Sequence, residues 1–256
     1  MDKSRFDSLF DLNGRAAIVT GGTRGIGRAI AEGLVLAGAS VAVASRKAEA
    51  CKETETHLQS IGGDAIGVPT HMGDLEQLSG LVSATADRFG RIDIVVNNAA
   101  NALALPVGEF TAAAWSKSFD VNLRGPVFLV QEALPYLKSS GKGSVINVIS
   151  VGAFLFSQSE AMYSAGKAGL MSFTRTMAAA YAPHGIRVNA LAPGTTDTDM
   201  VRNTGPESVE AMTVASHLRR LAEPDEMVGP ALLLASDAGS YMTGQVLIAD
   251  GGLAPH

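Results

Sequence analysis

Apolar residues fall along this chain in two alternating patterns. Short runs rich in Val, Ile and Ala, with almost no polar interruption, are followed by longer stretches with apolar positions three and four apart. The first pattern predicts strands buried on both faces, and the second predicts amphipathic helices. Strands are expected at Ala16–Val19, Ser40–Ala44, Asp64–Val68, Ile92–Val96, Ser144–Ile149, Arg187–Leu191 and Val246–Ala249. Helices are expected at Gly25–Ala37, Lys47–Ile61, Leu75–Phe89, Trp115–Lys138, Ala161–Tyr181 and Asp225–Ala235. Glycines at Gly38, Gly62-Gly63, Gly90 and Gly185 punctuate the series.

Regular alternation of strand and helix implies an α/β fold: one doubly wound parallel sheet, Rossmann-like, with helices on both faces. No linker or low-complexity run divides the chain, so residues 1–256 are expected to form one dinucleotide-binding and catalytic domain. The stretch from about 195 to 220 resists assignment. It holds turn formers and threonines, then a weakly amphipathic piece. A loop of that length in a compact domain points to function, here a substrate lid.

Composition narrows the field. With 46% hydrophobic and 18% charged residues the chain is of globular type, and its net charge of −5 argues against a general nucleic-acid binder. A local basic spot can still hold a phosphate. The single cysteine, Cys51, excludes an intrachain disulfide, and no metal-ligand cluster stands out. No apolar run reaches membrane-span length, and the N-terminus lacks a signal-peptide core. The expected setting is therefore cytoplasmic, with no membrane partner.

The segment Thr20-Gly21-Gly22-Thr23-Arg24-Gly25-Ile26-Gly27 lies between the first strand and the first long helix. Amide groups at a helix start favour an anion, and glycines let a pyrophosphate approach the backbone. An acidic residue at the end of the second strand would hold the ribose 2′-OH of NAD. Ser45-Arg46-Lys47 stands there instead. Arg46, helped by Arg24 from the glycine loop, suits a 2′-phosphate, so NADP(H) is expected in preference to NAD(H).

Tyr163 and Lys167 are four apart, on one face of a predicted helix. Taken alone, this spacing is common on surface helices. A phenol ionises near pKa ~10, and bringing it to about 7 takes roughly 4 kcal/mol, which a close, desolvated cation can supply. Ser150, at the end of a buried strand, can hydrogen-bond a substrate carbonyl oxygen. Asn122 can hold a water near Lys167.

These motifs, in this order and spacing, resemble the short-chain dehydrogenase/reductase family over about Leu12 to Gly252. The matching residues are Thr20-Gly21-x-x-x-Gly25-x-Gly27, Asn97-Asn98-Ala99-Ala100, Asn122, Ser150, Tyr163-x-x-x-Lys167, Pro193-Gly194 and Asp250-Gly251-Gly252. The resemblance implies an NADP(H)-dependent reductase or dehydrogenase of C=O and CH–OH groups. Tyr163 would be its general acid/base, and Ser150 would orient the substrate oxygen. Lys167 would bind the nicotinamide ribose and lower the Tyr163 pKa, and Asn122 would anchor a relay water. Gly21, Thr23, Arg24, Gly25, Ile26 and Gly27 would cradle the phosphates. Ser45, Arg46, Lys47, His71, Met72, Asn98, Ala99 and Ala100 would surround the adenosine. Pro193, Gly194, Thr196 and Thr198 would hold the nicotinamide.

Two positions depart from the family pattern. Ala100 replaces the usual glycine. His71 stands where an aspartate often meets the adenine amino group, so a neutral imidazole nitrogen or the Met72 backbone would have to serve. The substrate pocket is expected from Ser150, Gly152, Phe154, Phe156, Tyr163 and Met200, with Met162, Val201 and Met212 adding adaptable apolar contacts. These suggest a ketone with hydrophobic substituents, and the segment Thr70-His71-Met72 is similar to that of NADP-dependent carbonyl reductases. Alternatives are a 3-oxoacyl-carrier-protein reductase and a sugar-acid dehydrogenase, the latter because Phe10-Asp11-Leu12-x-Gly14-Arg15 is similar to gluconate 5-dehydrogenases. A non-catalytic NADP-sensing protein is a remote fourth reading. The resemblance further implies a homotetramer built partly by the helices at Trp115–Lys138 and Ala161–Tyr181.

Overall fold

A computed structural model describes residues 1–155 and 160–254. Seven strands, β1 (Ala16–Thr20), β2 (Ser40–Ser45), β3 (Ala65–Pro69), β4 (Ile94–Asn97), β5 (Ser144–Val148), β6 (Arg187–Pro193) and β7 (Val246–Ala249), pair in parallel in the order β3-β2-β1-β4-β5-β6-β7. The register runs Ile18 opposite Ala42 and Val95, and Asn97 opposite Asn147.

The unbroken apolar runs are explained by two cores, one on each face. Ala17, Val19, Ile94 and Val96 pack on one side; Ile18 and Val95 pack on the other. Successive side chains point to opposite faces, yet both faces are covered, so no polar alternation survives. The first core is closed by α2 (Gly25–Leu36) and α10 (Val228–Ala235). The second is closed by α4 (Leu75–Phe89), α6 (Gly125–Ser140) and α7 (Ala161–Tyr181). α4 shows how local chemistry sets the ends. The Asp74 carboxylate caps the amides of Glu76 and Gln77, and Gly90 stops the helix at φ +73°. α3 (Ala48–Ser60) follows β2.

The expected long helix at Trp115–Lys138 is one helical path with a defect. α5 (Ala112–Phe119) begins earlier, with Thr111 capping the Ala114 amide, and passes through a π turn at Asp120–Arg124 into α6. Period counting does not reveal one extra residue in a turn. A short α1 (Lys3–Asp7) and two short helices, α8 (Asp199–Arg202) and α9 (Pro206–Ala215), also escape the pattern because each is too brief or too exposed. The 195–220 excursion is pinned at its base, where the Ala222 amide donates to Thr195 O (3.0 Å) and the Asp197 amide donates to Ala222 O (2.8 Å).

Candidate active site

A cleft of about 940 Å³ opens at the carboxyl ends of the strands, where the strand order reverses between β1 and β4. That is where open parallel sheets bind ligands. Its floor is the glycine loop. Gly21 and Gly25 adopt φ +63° and +52°, conformations that side chains resist. A Cβ on Gly21 would lie 2.9 Å from both Ala99 Cα and Asn98 Nδ2, and one on Gly27 would collide with Asn98 Nδ2 and Gly21 O. Asn98 sets this loop by donating from Nδ2 to Thr20 O (2.9 Å) and Gly21 O (3.1 Å). Thr20 Oγ1 in turn accepts from the amides of Asn98 (3.0 Å) and Ala99 (3.1 Å). The result is a bare backbone cradle at the start of α2, which fits a dinucleotide pyrophosphate.

Thr23, Arg24, Gly25, Ile26, Ser45, Arg46, His71, Met72, Asn98, Ala99 and Ala100 all line the cleft. Arg46 is exposed and makes no ion pair among the described residues, so its charge is available. Arg24 reaches Asp199 Oδ2 on α8 at 3.3 Å, a link from the glycine loop to the 195–220 excursion. Lys47 does not line the cleft. It sits exposed at the start of α3, two residues beyond the end of β2.

His71 Nδ1 accepts from the Gly73 amide at 3.0 Å, which leaves Nε2 of the neutral ring as a donor. The ring therefore cannot replace an aspartate as the acceptor for an adenine amino group. The loop is held on the π turn: Arg124 donates to Gly73 O at 2.9 Å and pairs with Asp120 at 3.1 Å. A Cβ on Gly125 would strike Met72 O.

At the other half of the cleft, Tyr163 and Lys167 occupy the first turns of α7, with the Lys167 ammonium 5.7 Å from the Tyr163 ring centre. Ser150 lines the cleft beside Tyr163, and its hydroxyl favours the ionised phenol. Ser150 Oγ accepts from the Gly152 amide at 3.0 Å, which fixes it. Lys167 is 1% exposed and donates to Val148 O at 2.7 Å. Burial pulls its pKa down to about 8. The phenol moves the other way from the expectation. Burial raises the Tyr163 pKa, the Ser150 hydroxyl opposes that, and the Glu160 carboxylate adds to the rise.

Asn122 lies fully buried inside the π turn. Its Oδ1 accepts from the Asn101 amide (3.1 Å), and its Nδ2 donates to Asn101 O (2.8 Å). It therefore clamps the loop after β4. A Cβ on Gly166 would come within 3.1 Å of Asn122 Cβ, so α7 meets the π turn beside Lys167. Pro193, Gly194, Thr196 and Thr198 line the cleft beyond β6. Gly194 is required there, since a Cβ would sit 2.6 Å from Asp250 Cα.

Of the residues expected around the substrate, Ser150, Gly152, Tyr163, Met200, Val201 and Met212 line the cleft. Phe154 does not. It is 41% exposed and faces outward, because the 3₁₀ turn at Val151–Ala153 turns Leu155 to the cleft instead. Met162 is buried and is not part of the lining. Phe156 lies outside the described residues.

A family model described as "Enoyl-(Acyl carrier protein) reductase" matches residues 21–254. Dehydrogenase/reductase SDR family member 4 of Homo sapiens is 36% identical over 244 residues, covering 94% of this chain and 88% of that protein. The chain belongs to the short-chain dehydrogenase/reductase family. Its members here include the rhamnolipids biosynthesis 3-oxoacyl-[acyl-carrier-protein] reductase of Pseudomonas aeruginosa, 36% identical over 95% of this chain and 97% of that one. A solved structure from Beutenbergia cavernae, of a candidate NAD(P)-dependent gluconate 5-dehydrogenase with NADP bound at low occupancy, superposes with a TM-score of 0.90 at 36% identity, covering 96% of this chain and 98% of that one. The chain is thus an oxidoreductase acting on CH–OH and C=O groups.

Several cleft residues of this short-chain dehydrogenase/reductase are not among those expected from the sequence. Asn101, Lys117 and Glu160 line the cleft. Asn101 follows the Asn-Asn-Ala-Ala motif directly, and a polar residue at that place was the available clue. Nothing in the pattern marks Lys117 or Glu160, which come to the cleft through the packing of α5 and α7. Among the described residues no helix is long and apolar enough to cross a membrane, and no metal-ligand cluster is present.

Proposed function

We propose that this protein reduces a ketone or aldehyde to an alcohol, reversibly, with NADP(H) as hydride carrier and Tyr163 as general acid/base. The observation that carries the reading is the gathering of Ser150, Tyr163 and buried Lys167 in one cleft with the glycine cradle. Bound nicotinamide supplies or takes up the hydride. Ser150, held by the Gly152 amide, orients the carbonyl oxygen towards Tyr163. A raised phenol pKa keeps Tyr163 protonated and ready to donate to that oxygen as it gains charge. Lys167 holds the nicotinamide ribose, and Asn122 keeps the loop after β4 in place.

The unpaired Arg46 supports NADP over NAD, with Arg24 as second cation once it leaves Asp199. The 195–220 excursion acts as the substrate lid, and Met200, Leu155 and Met212 favour an apolar substituent. A second reading, reduction of a 3-oxoacyl thioester, is favoured by Lys117, an exposed cation on the cleft lining that suits an acidic carrier. Exposed Trp115 and Phe173 on α5 and α7 support a homotetramer, which we place in the cytoplasm.

The test is NADPH oxidation with a panel of neutral ketones and acetoacetyl thioesters, run beside Tyr163→Phe. Turnover lost in the variant, with NADPH affinity retained, is the expected result. Wild-type turnover in Tyr163→Phe removes the assignment. A preference for thioesters that falls with Lys117→Ala selects the second reading.

A further inference from the structure

A second cavity, of about 680 Å³, opens at the opposite, amino-terminal ends of the strands. Its wall carries four cations. Arg15 precedes β1, Lys142 precedes β5, Arg187 opens β6, and Arg5 projects from α1. One lining carboxylate, Asp237, faces them. It pairs with Arg15 at 2.5 Å and with Lys142 at 3.0 Å.

The other two cations have no such partner. Half-buried Arg187 spends its guanidinium on carbonyl oxygens, donating to Ser236 O at 3.0 Å and Met242 O at 3.4 Å. Neither Arg187 nor Arg5 makes an ion pair among the described residues. Four positive charges against one negative leave a surplus of three in a chain whose net charge is −5. Burial and the neighbouring Arg15 disfavour the Arg187 cation more than Asp237 favours it, so an added anion would relieve the remaining cost. The cavity also has apolar wall at Leu9 and Ile186. Its size is that of a small-molecule site.

We propose that this cavity is a second ligand site, which takes a small phosphorylated molecule bearing at least two negative charges. The Arg5 guanidinium gives phosphoryl oxygens paired donors, Arg15, Arg187 and Lys142 add positive charge around them, and the apolar wall accommodates an organic substituent. The site is on the far side of the sheet from the cleft and does not depend on which carbonyl compound is turned over there.

The experiment is calorimetric titration of the whole protein with inorganic pyrophosphate at fixed ionic strength. NADPH is present so that the glycine cradle does not compete, and citrate serves as the carboxylate arm. Binding of pyrophosphate is expected, at least tenfold weaker in the Arg5→Ser/Lys142→Ser double variant, with NADPH affinity unchanged. Lys142→Ser alone, at an exposed position, keeps the test alive if the double variant does not fold. It is expected to weaken binding about threefold. Four results overturn the proposal: no binding beyond that of chloride at matched ionic strength, binding abolished by NADPH, equal affinity in both variants, or citrate binding tighter than pyrophosphate.

Discussion

The two halves of the cleft are built from different materials. The phosphate half is backbone against backbone, where Gly21, Gly27, Asn98 and Thr20 interlock so closely that no Cβ can enter. The half proposed for the substrate is side chains on a long excursion, tied by surface ion pairs such as Arg202 with Asp197 at 2.6 Å. Close packing transmits any added atom directly into strain, whereas exposed ion pairs contribute little. The difference teaches where substitutions should be lethal to binding and where they should only retune it.

The sharpest break in the comparison is chemical. Tyr163→Phe should lower kcat by about 10³-fold, within the ~10²–10⁴ span of acid/base catalysis, while NADPH affinity measured by fluorescence stays put. On the phosphate side, Gly27→Val should weaken NADPH binding by about 100-fold, because its side chain meets Asn98 and the Gly21 carbonyl, and overpacking of this kind costs about 1–3 kcal/mol of stability. Retained affinity in that variant would show that the loop gives way.

Between the halves sits Lys167, whose pKa is drawn from 10.5 to about 8 by burial. Above about pH 8 the folded chain sheds a proton that the unfolded chain keeps until about 10.5, so the unfolded state binds more protons there and stability rises with pH. Relative to Lys167→Met, the wild type should gain about 3 kcal/mol between about pH 7 and pH 11, at about 1.36 kcal/mol per unit. A flat difference in denaturant midpoints across that range would show that the ammonium is not desolvated.

Arg46→Asp should shift the NADP/NAD ratio of kcat/KM by about tenfold or more towards NAD, since one or two good charge-assisted contacts are exchanged. The smallest effect is expected from Asp199→Ala. It frees Arg24 from an exposed ion pair and should tighten NADPH by only about two- to threefold, with the thermal midpoint unchanged. A large loss of stability there would make the excursion as rigid as the cradle and erase the contrast.

The sheet was legible because its strands are buried on both faces, which gives continuous apolar runs such as Ile94-Val95-Val96. The cradle was legible because glycine is needed wherever backbone meets ligand. Less visible were features decided by rotation about an axis. Lys47 and Phe154 carry suitable chemistry at suitable places in the chain, yet each is turned outward. Leu155 replaces Phe154 because one short 3₁₀ turn shifts the phase by a single residue. The π turn at Asp120–Arg124 escapes for the same reason, although it places Asn122. The His71 ring was assigned acceptor capacity that the Gly73 amide already uses.

The pinned base of the 195–220 excursion has an evolutionary consequence. Thr195, Asp197 and Ala222 close it like the neck of a purse, so its ends stay adjacent whatever lies between. Lengthening a loop between fixed ends costs only about 0.6 kcal/mol per doubling. Insertions, deletions and wholesale exchange there leave the scaffold's folding nearly untouched. On the proposed reading of the excursion as the substrate lid, substrate preference can therefore drift quickly on one interchangeable segment, while the glycine cradle stays frozen by its own tightness.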